Sequence, residues 1–183
     1  MTAPLDPQRV AADPAISAFV TANAGSGKTK TLIDRVARLL LGGAEPAAIL
    51  CVTYTKAAAA EMQHRLFDRL GKWCVTPDEA LRAEIAGLVD RPQSEFDALA
   101  LSKARSLCAK ALETPGGLKI QTIHAFCEKL LRRFPSEAGV SPGFEVMDDS
   151  ASAAVAQAAL HKLAAFVTAT DNEFSRAYAR FSV

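Results

Sequence analysis

The chain has 183 residues, half of them apolar, with 21 basic and 20 acidic side chains and a net charge of +1. That supplies a core of ordinary domain size, and it excludes the global basic field that by itself marks a nucleic-acid binder. No apolar run approaches the ~20 residues of a membrane helix, and residues 1–6 show neither a basic start nor an apolar signal core, so a cytoplasmic protein without membrane contact is expected.

In chain order, residues 4–14 place Gln8, Arg9, Val10 and Ala11 between Pro4 and Pro14, a short amphipathic turn or helix. Residues 17–21, around Ala18-Phe19-Val20, read as a first strand. Then comes Ala22-Asn23-Ala24-Gly25-Ser26-Gly27-Lys28-Thr29, followed by a helix over 28–41 with Leu32, Val36, Leu39 and Leu40 in phase and a stop at Gly42-Gly43. Small residues between strand and helix let successive N–H groups curl around phosphate oxygens, and the helix adds the positive end of its dipole. Lys28 is expected to reach the β- and γ-phosphates, and the Thr29 hydroxyl to ligate Mg²⁺ through the nucleotide. The usual pattern opens with Gly where this chain has Ala22. A plain Gly/Ser turn capping a helix is the bland alternative, and the agreement of motif with context favours phosphate.

Residues 48–54 form a short, nearly continuous apolar run, the pattern of a buried parallel strand, and strand, helix, strand within ~35 residues implies a right-handed crossover. From Lys56 the pattern turns helical, with Ala58, Met62, Leu66 and Leu70 on one face and Gly71 as the expected end. Residues 72–115 carry two more helical patterns, around Leu81, Ile85 and Leu88 and around Phe96, Leu99, Ala104 and Leu107, an α-helical excursion before the sheet resumes. The alternating run 118–123 reads as a strand leading into a helix with Phe126, Leu130, Leu131 and Phe134 inward. Residues 144–147 suggest a brief strand. Asp148-Asp149-Ser150 then reads as an N-cap region for an amphipathic helix with Val155, Ala159, Leu163 and Phe166 on its face. The tail from Asn172 carries no closing signal. Cys51, Cys74, Cys108 and Cys127 lack the close spacing of zinc or redox motifs and read as small apolar fillers.

A phosphate loop is shared by many enzyme classes, so other segments must discriminate. Gln8 lies upstream of the loop, Cys51-Val52-Thr53-Tyr54-Thr55-Lys56-Ala57-Ala58-Ala59-Ala60-Glu61-Met62 forms one strand-to-helix corner, and Gln121-Thr122-Ile123-His124-Ala125-Phe126-Cys127 forms another. Gln8 has a donor and an acceptor for a two-point hydrogen bond to the adenine edge, although a solvated helix Gln is the plain alternative. At the corners Thr53, Thr55, Lys56, Thr122 and His124 offer hydroxyl, ammonium and imidazole groups for backbone phosphates, and Tyr54 offers a ring face for a base. The alternatives stay open: Thr53 and Thr55 as strand ends, Tyr54 as core, His124 as a helix cap, and Arg132-Arg133 as a solvated helix end.

In this order and spacing the motifs resemble those of the UvrD/Rep-like superfamily 1 DNA helicases, in their first RecA-like domain, over residues 5–149. Within that superfamily the likeness is to the AddA subunits of AddAB helicase-nucleases, through residues 22–29, Trp73, residues 118–124 and Arg132-Arg133-Phe134-Pro135. The resemblance implies an α/β P-loop fold, a RecA-like parallel sheet flanked by helices. Residues 1–149 are then a partial ATP-binding domain with its helical excursion at about 72–115, and residues 150–183 begin an inserted helical subdomain. It also implies ATP rather than GTP, with Gln8 on adenine and Lys30, where many relatives carry Arg, beside the base. DNA would be contacted through Thr53, Tyr54, Thr55, Lys56, Thr122 and His124. For the parent it implies 3′-to-5′ movement on single-stranded DNA from double-strand ends, break repair, an AddB-like partner and a nuclease domain that this chain lacks. The relatives' Asp-Glu pair, which serves Mg²⁺ and water, lies downstream of the segment matched here, and Asp148-Asp149 is not read as its counterpart. The fragment itself is therefore expected not to hydrolyse ATP efficiently or unwind. Two rivals stand beside this reading: a truncated nucleotide- or DNA-binding module, and a P-loop kinase or GTPase, for which the sequence shows no phosphoacceptor or guanine-reading motif.

Overall fold

The computed structural model describes residues 6–21, 23, 25–169 and 176. Its elements in chain order are α1 (Pro7–Ala11), α2 (Lys28–Leu41), β1 (Leu50–Thr53), α3 (Lys56–Val75), α4 (Asp78–Val89), α5 (Ala98–Glu113), β2 (Lys119–Thr122), α6 (Ile123–Arg133) and α7 (Asp149–Ala169). Short 3-10 turns occupy Pro46–Ala48 and Gln93–Glu95. The result is a helix-rich α/β fold with a small parallel sheet of two strands among the described residues. The chain divides into two compact units, Met1–Lys129 and Leu130–Val183.

In the first unit each long helix begins where a local signal places it. Gly27 starts α2 with φ of +85°, a left-handed conformation that Gly adopts without strain, and Gly42 and Gly43 end it. The Thr55 hydroxyl accepts from the Ala58 N–H to cap α3, and the Asp97 carboxylate does the same for α5 through Ala100. The buried stripes follow the helical period: Ile33, Val36, Ala37 and Leu40 on α2, Met62, Leu66, Leu70 and Trp73 on α3, and Leu101, Ala104, Leu107 and Ala111 on α5. These close over Cys51 of β1 and Ile120 of β2 to form one core. Burial pushes the Cys51 thiol up, as expected of an apolar filler.

β1 and β2 pair in parallel with Thr53 opposite Thr122, so both strands deliver their last residues to one edge. The crossover between them runs through α3, α4 and α5, of which α4 and α5 fall within residues 72–115.

Four expectations are corrected. Residues 17–21 are not a strand; the segment runs without ladder partners, and Phe19 is 93% exposed. The predicted crossover between it and β1 therefore does not form, because a strand exists only through a neighbour that takes its N–H and C=O groups. Residues 144–147 are likewise irregular, with Val146 and Met147 exposed. Gly71 does not end α3, which continues to Val75. Trp73 is fully buried there and its indole N–H donates to Glu84 of α4 at 2.7 Å, which outweighs the ~1 kcal/mol helix penalty of one glycine. Finally, the stripe on α6 is not inward: Leu130 and Phe134 are nearly half exposed, and α6 has no buried residue. Apolar spacing creates a face without specifying what covers it.

In the second unit, Arg132 lies over the Phe144 ring at 4.9 Å, and the Asp148 carboxylate accepts from the Ala151 N–H and the Ser150 hydroxyl, both at 2.7 Å. Asp148 is thus the predicted helix cap, and these hydrogen bonds hold its carboxyl below the usual carboxylate range. The apolar face predicted for α7 is exposed, with Val155 and Phe166 each more than half accessible. The predicted tail from Asn172 lies outside the described residues, apart from Arg176.

Candidate functional site

The loop before α2 is built by backbone conformation. Gly25 and Gly27 both take positive φ, +81° and +85°, and a Cβ placed on Gly25 would meet nothing within 4 Å. The Asn23 carbonyl draws the loop together, accepting from the Ser26 hydroxyl at 2.7 Å and the Lys28 ammonium at 2.6 Å. Lys28 therefore already points back across the loop, held by a neutral oxygen. A charged phosphate oxygen is a stronger acceptor for the same ammonium. Ala22 and Ala24 lie outside the described residues.

Lys28, Thr29 and Lys30 form the exposed first turn of α2. The first N–H groups of a helix lack intrahelical acceptors, so this turn presents donors and a positive dipole end to an anion. The Thr29 hydroxyl stands on that turn and is the described group that would serve a nucleotide-bound Mg²⁺. The open backbone at Gly25, the exposed helix start and an adjacent hydroxyl all fit a nucleotide phosphate with its metal.

Gln8 is brought to the loop from 18 residues upstream: its amide Nε2 donates to the Ser26 carbonyl at 3.1 Å. The approach is close enough that a Cβ on Gly27 would sit 3.2 Å from the same nitrogen. A second glycine role is thereby explained, since Gly27 supplies both the left-handed turn and room for Gln8. Between α1, residues 16–21 and the start of α2 lies an open cleft of about 620 Å³, within the range of small-molecule sites. Lys30 lines a separate cleft of about 240 Å³, which it shares with Gln8 and Asp34.

The two corners meet. Tyr54 and His124 approach edge-to-face, with ring centroids 6.3 Å apart and planes at 70°. Tyr54 is 81% exposed, which excludes it from the core. Thr53 is half-buried at the end of β1, while Thr55 and Lys56 are exposed at the start of α3. Thr55 caps α3, and Thr122, buried at the end of β2, caps α6 by accepting from the Ala125 N–H at 3.1 Å. The capping alternative raised for His124 thus belongs to Thr122. Each corner sends a helix N-terminus away from the strand end, which leaves an exposed aromatic pair beside two sets of backbone donors.

Sequence reasoning missed Arg35 and Arg38. Both lie on α2 and donate to backbone carbonyls of the N-terminal segment, Arg35 to Ala11, Asp13 and Ile16, and Arg38 to Arg9. No local pattern distinguishes such an arginine from a solvated one.

A left-handed glycine loop feeding a long helix, with Lys and Thr in its first turn and a small parallel sheet in the same unit, is compatible with a P-loop domain. The chain belongs to the UvrD/REP helicase N-terminal domain family, whose model matches residues 6–180. Among curated relatives, it is 35% identical to the AddA-type ATP-dependent helicase/nuclease protein of Bacillus pumilus over 135 residues, 72% of this chain and 9% of that protein. It is 34% identical to the protein of the same description from Desulforudis audaxviator over 147 residues, 79% of the chain and 10% of that protein. For the one from Lactobacillus johnsonii the figure is 30% over 167 residues, 90% of the chain and 12% of that protein. The chain thus spans about a tenth of the length of the curated relatives it matches. Among the described residues, no helix is long and apolar enough to cross a membrane.

Proposed function

We propose that this chain is the ATP-binding front of the first motor domain of an AddA-like DNA helicase, with residues 1–149 as the nucleotide-binding part and residues 150–183 opening an inserted subdomain. In this reading residues 22–29 cradle the triphosphate, Lys28 neutralises its terminal phosphates, and Thr29 holds Mg²⁺ through the nucleotide. When bound, the ion screens phosphate charge. Gln8 reads adenine, with Lys30 beside the base. Thr53, Tyr54, Thr55, Lys56, Thr122 and His124 form a track for single-stranded DNA, on which the paired rings of Tyr54 and His124 stack a base while the corner amides and Lys56 hold phosphates.

The observation that supports this reading is the hydrogen bond from the Gln8 amide to the Ser26 carbonyl, which holds Gln8 beside the glycine loop. The match to the UvrD/REP helicase N-terminal domain family favours a motor over a kinase. In the parent, we infer, nucleotide binding shifts the two corners along the strand, giving 3′-to-5′ translocation from double-strand ends in break repair with an AddB-like partner. The described residues hold no carboxylate pair at a strand end to polarise water, so the chain by itself binds without efficient hydrolysis or unwinding.

Titrating a fluorescent ATP analogue and a labelled single-stranded oligonucleotide against the chain and its Lys28→Ala variant tests the reading. Nucleotide affinity falls at least about tenfold in the variant, because a charge-assisted contact is lost, and DNA affinity holds. Tighter binding of GTP than ATP would overturn the assignment.

A further inference from the structure

The helix that carries Gln8 cannot hold itself in place. α1 has five residues and none is buried, and an isolated helix of that length does not persist in water. Its position comes from outside the helix: Arg9 pairs with Asp90 at 2.7 Å, Ala12 just beyond it is buried, and α2 supplies two arginines. Arg35 spreads its guanidinium across the turn that follows α1: Nη1 donates to the carbonyls of Ala11 at 3.1 Å and Asp13 at 2.5 Å, and Nη2 donates to Ile16 at 2.7 Å. One turn later Arg38 donates through Nη1 to the Arg9 carbonyl at 3.1 Å and through Nε to the Leu88 carbonyl of α4 at 2.7 Å. Both arginines are half-buried; the bonds to Ala11, Asp13 and Leu88 are partly shielded from water, and those to Ile16 and Arg9 are exposed.

We infer that Arg35 is a positioning residue for nucleotide selectivity. By fixing residues 11–16 it sets where α1 ends, and so where the Gln8 amide stands relative to the Ser26 carbonyl. A two-point hydrogen bond discriminates between bases only when its donor and acceptor are held at fixed positions. Phosphate binding draws on Gly25, Gly27 and Lys28 and does not depend on this anchorage. Loosening Arg35 therefore costs the adenine-specific share of affinity and leaves the share common to ATP and GTP. A lysine cannot substitute, because one ammonium lacks the planar fork that spans three carbonyls.

The inference rests on Gln8 reading adenine, and the experiment separates the two. ATP and GTP affinities are measured by competition against a fluorescent nucleotide for the full chain and for Arg35→Ala, Arg35→Lys, Gln8→Ala and the Arg35→Ala/Gln8→Ala double variant, with circular dichroism to verify folding. The wild type prefers ATP, and Gln8→Ala loses the preference. Arg35→Ala reduces the ATP-to-GTP ratio by about tenfold, the loss of roughly one well-placed hydrogen bond, while GTP affinity changes by less than about twofold. The double variant matches Gln8→Ala, because the two residues act through one contact. If Arg35→Ala retains the wild-type ratio while Gln8→Ala loses it, or if it weakens ATP and GTP equally, the positioning role is overturned. If Gln8→Ala keeps the wild-type preference, the reading of Gln8 itself fails. Should Arg35→Ala not fold, Arg35→Lys decides: a reduced ratio supports the role, and an unchanged one overturns it.

Discussion

Replacing Tyr54 by Ala isolates the proposed DNA track from the fold. The ring is 81% exposed, and the contact described for it is the edge-to-face approach to His124 at 6.3 Å, so truncation removes little buried area and stability should change by no more than about 0.5 kcal/mol. Stacking of a base on an aromatic ring contributes about 1–3 kcal/mol, which converts to a loss of about 5- to 150-fold in single-strand affinity. The assay is fluorescence anisotropy of a labelled oligothymidylate across a salt series. Because Tyr54 touches no phosphate, Tyr54→Ala should lower affinity at every salt concentration with an unchanged slope, whereas Lys56→Ala should flatten the slope. Tyr54→Phe should bind as the wild type does. Unchanged affinity in Tyr54→Ala, or equal losses in Tyr54→Phe and Tyr54→Ala, would refute the stacking argument.

Thr55→Asp should keep the cap on α3, holding stability within about 0.5 kcal/mol, while its charge repels phosphate and weakens oligonucleotide binding; thermal melts and anisotropy on one sample test both halves. Trp73→Phe removes a hydrogen bond to a carboxylate and leaves a gap where a fully buried indole stood, so a urea titration followed by circular dichroism should show a loss of about 2–4 kcal/mol. The Asp148 carboxyl is depressed by the Ala151 N–H and then the Ser150 hydroxyl, so its capping of α7 is fully present above the ordinary carboxylate range and is lost as pH falls through its lowered value. Helicity titrated downward in pH should show that loss in the wild type, and Asp148→Asn, which caps without titrating, should remove it.

The sequence by itself determined the features whose causes lie within a turn or two of chain. The glycines at 27 and 42–43 bound α2, Thr55 and Asp97 begin their helices, and apolar runs mark β1 and β2 to within a few residues. Loop composition likewise carries the phosphate-binding reading proposed around Lys28. Tertiary structure alone decided whether residues 17–21 pair as a strand, whether α3 passes Gly71, and whether the stripes on α6 and α7 find cover. It also decided that Arg35 grips three carbonyls. Each of these depends on atoms distant in the chain that supply a ladder partner, an acceptor for Trp73 or a covering layer. A cap or a helical period carries its own hydrogen bonds and phase locally, whereas pairing and burial require a partner that no local pattern specifies.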